Sequence, residues 1–432
     1  MENKQTKKGF QFGFLVALGC FLIQAIPFGV ASNIHPQFLG YIIAEHGFTL
    51  ASISAMFTIG TIISAVFSPT IGNLFKKINA KIVFLGGAIL SAGGVYMLSI
   101  AGDKLMLFYL GYGISQIGTA AISSIGIPVL ISSWFDESVK GKVLGVVFAG
   151  SGLGNIFLQQ FSVNWIAEVG YQQAYARFAL MSIIVGVVIS LILIRMPKNE
   201  SEIVGRKSNT VKDETKEELV ENKEEKSDNV WGYTFAEVKG IKEYWLFAVA
   251  FIFVGIYVSA LATQYSAYLK VQPGFPVEIL GTVGSIFALC SLFGNLIGGT
   301  LYDKLGATKT TIAGFVLALA GCLSLIFAPQ IPALAYVYGA TKGLSVFAYI
   351  LAPSMLVGIL FGNKDFSGIL GITQVFFALG FSFGSFLFGA LVDGLGYTIA
   401  WYVILASIIV AYVLLLTVIS RMSKLNKEKF NK

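Results

Sequence analysis

Residues 336–355 read YVYGATKGLSVFAYILAPSM, an apolar helix-length stretch with one full positive charge, Lys342, near its middle. An ammonium group is costly inside hydrocarbon, so one that sits there faces a polar cavity or a partner. Tyr338, Lys342, Ser345 and Tyr349 follow i, i+4, i+7, i+11 spacing and share one helix face. Subtracting 226 lands on Tyr112, Gln116, Thr119 and Ser123, a second polar stripe in an equally apolar stretch. No Asp or Glu lies in the middle of any apolar stretch; Glu45, Glu168, Glu278 and Asp393 all stand near the ends. An ammonium without a carboxylate attracts an anion, which makes a negatively charged substrate its natural counter-ion. Two alternatives stay open: an amine held neutral that carries a proton, and a lysine that only donates to nearby carbonyls.

Weaker candidates extend the polar set. Gln24 and Ser32 lie in the first apolar stretch, Tyr257, Gln264 and Tyr268 in the seventh, and Asn155, Gln159, Asn295 and Gln374 in others. Each serves equally well as an interhelical hydrogen bond. His35 and His46 are the only histidines and read as surface residues at the end of the first stretch or in the loop after it. Cys20, Cys290 and Cys322 have no metal-ligand spacing and read as buried packing residues.

The elements that must position these residues are legible from composition. The 432 residues are 56% hydrophobic and 12% charged, which excludes an ordinary water-soluble domain. Apolar stretches long enough to cross about 30 Å of hydrocarbon recur at 11–35, 50–73, 81–101, 105–131, 143–167, 172–194, 244–269, 279–302, 309–328, 332–361, 367–391 and 397–420. The expected fold class is therefore an all-α membrane protein with twelve transmembrane helices in two pseudo-symmetric six-helix bundles. The first stretch has no small-residue cleavage site and reads as a retained helix. Of the 30 Lys and Arg, only Lys104, Arg177 and Lys270 fall near one face and Lys342 within a span; the rest crowd the other face. That bias predicts a multi-pass protein of the cell membrane with both termini cytoplasmic.

Between Lys198 and Asp228, 17 of 31 residues are charged, a composition that cannot fold alone. The expected organisation is an N-terminal bundle over 1–197, a charged cytoplasmic linker over 198–235 and a C-terminal bundle over 236–432. The 226-residue shift also superimposes Gly170 on Gly396, Tyr171 on Tyr397, Ala174 on Ala400, Gly145 on Gly371 and Gly154 on Gly380. Such a parallel repeat is the mark of a duplicated bundle.

Two six-helix halves joined by a charged loop resemble the major facilitator superfamily. GTLYDKLGATK resembles that superfamily's loop signature between the second and third helices of a half, with Gly299, Asp303, Lys304, Gly306 and Lys309 in place. The N-terminal copy, GNLFKKINAK, has Lys76 where the acid belongs and Asn79 where the glycine belongs. WFDESVKGKVLGVVFAGSGLG, FGNKDFSGILG and LVDGLGYTIAWY are similar to segments of the oxalate:formate antiporter and monocarboxylate transporter group. That group's eighth-helix arginine is replaced by Asn295 and its eleventh-helix lysine has no counterpart in 367–391. The resemblance therefore implies one singly charged organic anion rather than a dianion.

The expected function is a secondary transporter of a small organic anion, a monocarboxylate, working by alternating access as antiporter, uniporter or proton symporter. A drug or lipophilic-metabolite exporter is the alternative. The substrate-binding set is Lys342, Gln116, Tyr112, Tyr338, Ser345, Tyr349, Thr119, Gln24, Tyr257, Gln264 and Asn295. The partners are the anion, membrane lipids and, under symport, protons, with the chain a monomer. No catalytic constellation, metal cluster, cofactor motif, phosphate-binding loop or nucleic-acid feature appears in the sequence, so an enzyme is not expected.

Overall fold

The computed structural model describes residues 2–205 and 231–430; the middle of the charged linker, 206–230, lies outside the described residues. The chain is built of helices, numbered here by membrane crossing. In the first half, α1 covers 2–46, α2 Leu50–Lys77, α3 Ala80–Ser99, α4 105–134, α5 137–169 and α6 171–192. In the second half, α7 covers Lys242–Lys270, α8 279–305, α9 307–327, α10 334–361, α11 366–395 and α12 397–430. The twelve crossings form two six-helix bundles.

Backbone chemistry explains the corners. Gly170 and Gly396, 226 residues apart, join α5 to α6 and α11 to α12 at φ 78° and 81° with ψ 166°, a region open essentially to glycine alone. Gly306 makes the α8–α9 corner in the same way at φ 74°, which explains the glycine of the loop signature. Asn79, its counterpart, solves the corner differently: it stays at φ −57° and its side-chain oxygen accepts from the Lys81 N–H, capping α3.

Three crossings that the hydropathy profile reads as continuous are interrupted. In α1, Pro27 supplies no backbone N–H to the turn before it, and Gln24–Phe28 open into a π-turn. α4 breaks after Ile122 and restarts at Gly126. α10 breaks after Leu344 and restarts finally at Ala352, 226 residues from Gly126. Broken helices place backbone polar groups at membrane depth, which is tolerated where they are enclosed by protein or line a cavity.

Pseudo-symmetry extends to packing. A Cβ on Gly154 would collide with the Ala25 carbonyl of α1, and one on Gly380 with the Ile252 carbonyl of α7. Both glycines let a flanking helix press directly on the first helix of its bundle. The linker's described ends also dock as a pair. Val204 exchanges backbone hydrogen bonds with Trp134 and Asp136 at the end of α4, and the Tyr233 N–H bonds to the Phe361 carbonyl at the end of α10. Val204 and Tyr233 are buried, so the linker is not solvated throughout, as its composition suggests; both anchors are apolar residues outside the densest charge.

Candidate functional site

Lys342 leaves α10 two residues before that helix breaks. It is 1% exposed, and its Nζ has no hydrogen-bond partner among the described residues. The ammonium lies 4.5 Å from the Tyr349 ring centroid and 6.0 Å from that of Tyr257. Aromatic faces attract a cation, a contribution of about 0.5–2 kcal/mol each at close range. The Tyr257 hydroxyl in turn pairs with that of Tyr412 on α12 at 3.0 Å, and Phe315 on α9 packs against Tyr412. The charge thus sits in a tyrosine-walled pocket within the second bundle. Ser345 spends its hydroxyl on the Lys342 carbonyl at 2.8 Å, and the Tyr338 hydroxyl donates to the Leu261 carbonyl of α7. Both shape the helix around the lysine while leaving its ammonium unpaired.

In the first bundle the equivalent positions carry neutral groups, several of them hydrogen-bonded. Gln116 Nε2 donates to the Ala31 carbonyl at 2.8 Å. Ala31 is the 226-shifted counterpart of Tyr257, so Gln116 and Lys342 reach the same position on the first helix of their own bundles. Gln116 thus spends its amide within its own bundle, whereas Lys342 Nζ takes no hydrogen-bond partner among the described residues. The physical reason is local: α1 is interrupted just past Ala31, whose carbonyl lacks an ordinary helical partner and takes the nearest donor. Tyr112 sets its ring edge-on against His35 and Phe57. Thr119 bonds to Ser91 and the Ser115 carbonyl between α3 and α4, away from any cleft. Gln24 donates to Ser123 at 2.9 Å and keeps a buried, unpartnered Oε1.

His35 overturns its reading as a surface residue. It is fully buried, with Nδ1 3.2 Å from the Tyr175 hydroxyl and Nε2 3.0 Å from the Ala31 carbonyl. The segment Ser32-Asn33-Ile34-His35-Pro36 looks like a loop, but the helix resumes at once with Pro36 in its first turn, where a missing N–H costs nothing.

The two bundles meet at the end away from the termini. Gln37 Nε2 contacts Gln159, Tyr265 and the Leu280 carbonyl at 2.8, 2.8 and 3.1 Å, and Ser266 donates to Gln37 Oε1. Gln264 Nε2 donates to Ser54 at 2.8 Å and Ser385 at 2.6 Å. Gln264 thus takes part in this seal through Nε2, while its Oε1 is buried with no partner among the described residues. Asp393 accepts from the Leu50 and Ala51 N–H groups at 3.0 and 2.8 Å, a carboxylate on the N-terminal turn of α2. At the opposite end the same helix faces are exposed: Ile62 and Ala65 on α2, Gly145 and Phe148 on α5, Asn295 on α8, Val375 and Ala378 on α11. The bundles touch at one end and part at the other. Asn295 lies on that parted face, apart from Lys342, and Asp303, Lys304 and Lys309 are exposed beyond it at the α8–α9 corner. Tyr412 and Tyr175, which complete the two pockets, carry no spacing signal that links them to their partners.

A family model, the Major Facilitator Superfamily, matches residues 17–277 and again 246–432, two overlapping matches that together span both bundles. The chain belongs to the Major Facilitator Superfamily. It is 25% identical over 330 residues to the uncharacterized MFS-type transporter YhjX of Escherichia coli (strain K12), covering 73% of each chain. It is 26% identical over 392 residues to the oxalate:formate antiporter of Oxalobacter formigenes, covering 88% of this chain and 85% of that one. Among solved structures, a bacterial homolog of the human lysosomal transporter Spinster, in an inward-facing and unoccupied conformation, superposes with a TM-score of 0.72 at 14% identity. That superposition covers 95% of this chain and 97% of the other. At that identity the likeness concerns the fold alone. The chain is a multi-pass membrane protein of a transporter family, and its relatives act on small molecules.

Proposed function

We propose that this protein carries a small, singly charged organic anion, a monocarboxylate, by alternating access, with Lys342 as the charge that recognises it. One observation carries the reading: a fully enclosed ammonium, beside a break in α10, that neither a carboxylate nor any hydrogen-bond acceptor among the described residues satisfies. Tyr257 and Tyr349 supply apolar and hydroxyl surface for the body of the substrate, and Tyr112, Tyr338, Ser345 and Thr119 hold the helices that frame it. Gln116 and Gln24, whose buried Oε1 awaits a donor, line the matching side in the first bundle. Because Lys342 is 1% exposed with Tyr349 against it, anion entry requires the Tyr349 ring to swing aside. Asn295 lines the path in, and the Gly299–Lys309 corner is the conformational hinge element.

The parted end carries the termini and the basic residues, so it faces the cytoplasm of a cell-membrane carrier, with domain limits at 1–197, 198–235 and 236–432. Rocking about the central pocket breaks the Gln37 and Asp393 contacts and closes the parted faces. One cation without a second favours a monoanion over a dicarboxylate such as oxalate, the substrate in the relative's name.

The test is purified protein in liposomes, offered labelled monocarboxylates, dicarboxylates and cationic dyes, with and without a pH gradient and with and without internal anion. Saturable monoanion uptake, lost in Lys342→Gln while the variant stays folded, is expected. Unchanged transport in that variant refutes the site, and dye export alone favours a lipophilic exporter.

A further inference from the structure

Away from the seam, at the end that carries the linker, a cavity of about 800 Å³ opens between the start of α9, the end of α10 and the last turns of α12. Part of its lining is apolar, with Ile312, Ile359 and Leu416. Along α12, Leu416, Ser420, Lys424 and Lys427 follow i, i+4, i+8, i+11 spacing and all line the cavity. Going outward, this face passes from hydrocarbon to hydroxyl to two cations. That is the order of groups along a phospholipid, from acyl chain through ester to phosphate.

Two further observations point to an anionic occupant. Among the described residues, no acidic side chain lines the cavity. Among the described residues, the other cations of the same helix segment have carboxylate partners, Arg421 with Glu243 at 3.8 Å and Lys429 with Glu237 at 3.2 Å, whereas Lys424 and Lys427 have none. Trp231, an indole at the rim, suits the membrane interface. The wall is fixed rather than loose: Asn426 donates to the Leu360 carbonyl at 2.9 Å and accepts from the Tyr233 hydroxyl at 3.0 Å.

We propose that this cavity is a binding site for one anionic phospholipid, its phosphate on Lys424 and Lys427 and one acyl chain along Ile312, Ile359 and Leu416. The bound lipid would brace α12 against the linker end at Trp231, and the site is independent of the transported substrate. Basic pockets between helices at a membrane face bind lipid headgroups for the same reason.

The test is native mass spectrometry of the full chain in neutral detergent, titrated with phosphatidylglycerol or with phosphatidylcholine of identical chains. A single tightly held phosphatidylglycerol is expected, preferred on the order of 30-fold, since each of the two lysines near the headgroups adds roughly fivefold. Lys424→Gln with Lys427→Gln should remove the preference, and Ile312→Trp, which fills the groove, should weaken both lipids. Arg421→Gln with Lys429→Gln, the same charge change on other faces of α12, should keep the preference. Retention of the preference in the first pair, or equal loss in the control pair, overturns the site. So does displacement by millimolar inorganic phosphate, which would mark an ion site only.

Discussion

Replacing Lys342 with methionine separates a substrate-binding lysine from a structural one. Methionine nearly matches the lysine stem in length and fills the same space without the charge. A lysine at the centre of a membrane helix costs about 2.5–3.5 kcal/mol on insertion scales, and the Tyr349 face at 4.5 Å returns about 0.5–2 kcal/mol. With no hydrogen bond to Nζ among the described residues, the ammonium is left a net burden of about 0.5–3 kcal/mol. Lys342→Met should therefore raise the melting temperature of the purified protein by a few degrees while abolishing anion transport. A second reading comes from ligand linkage: a monoanion at one hundred times its dissociation constant should stabilise the wild type by about 2.7 kcal/mol and leave Lys342→Met unmoved. Thermal unfolding followed by thiol-reactive dye, at Cys20 and Cys322, which are buried when folded, measures both. A variant that melts lower than the wild type would mean the ammonium holds the pocket together, and the anion-site reasoning would fail.

Two further outcomes concern the ends of the molecule. Asp393→Asn removes the charge on the first turn of α2 but leaves one acceptor for Leu50 and Ala51. A charge so placed contributes about 0.3–1 kcal/mol, more where partly buried, so the seal should weaken about two- to fivefold. A cysteine at Ser54, buried in that seal, should then react correspondingly faster with a membrane-impermeant maleimide, and an unchanged rate would remove Asp393 from the gate. At the other end, hydrogen bonds from the Thr234 backbone and side chain hold the Glu237 carboxyl down at about 2, with Lys429 beside it. Because the folded value is depressed, this support for the short helix Phe235–Lys239 is present above the usual carboxylate range and lost as pH falls from about 4 to 2. The Trp245 indole, bonded to the Lys239 carbonyl, should report the change in fluorescence, and Glu237→Gln should abolish it.

The crossings were legible in the sequence because hydrocarbon imposes one demand, length of apolar chain, that composition alone reveals. The 226-residue repeat was legible too, and it reached individual contacts: Gly154 and Gly380 press on α1 and α7 in the same way, and Gln116 and Lys342 address equivalent residues. What escaped was direction. Helical spacing said that Tyr338, Lys342 and Tyr349 share a face, but the breaks in α4 and α10 reset where that face points, and no hydropathy signal marks such a break. His35 escaped because Asn-Ile-His-Pro reads as loop chemistry, while a two-residue pause in a helix, at Asn33 and Ile34, uses the same residues. Gln264 shows the same limit: a polar side chain at membrane depth serves a seal and a binding site alike, and only the structure shows its bonds to Ser54 and Ser385.

The asymmetry between the twin pockets bears on how such a carrier would work. In the first bundle Gln116 and His35 converge on the Ala31 carbonyl, every one of their contacts is neutral, and nothing there asks for a charged guest. In the second, the same scaffold holds an ammonium with only aromatic faces against it. Duplicated helices thus give shape to both halves but charge to one. An anion bound at Lys342 cancels the cost that an empty pocket bears each time the bundles close around it. Since a bound species shifts a conformational equilibrium only by its different affinity for the two states, the loaded carrier gains most in the closed, dry intermediate, where an unpaired charge is least tolerable. The empty carrier crosses the same intermediate with its ammonium uncompensated. Reorientation with anion aboard is then the easier passage, which favours exchange of one anion for another over net flow, and makes internal anion the variable to which uptake into liposomes should be most sensitive.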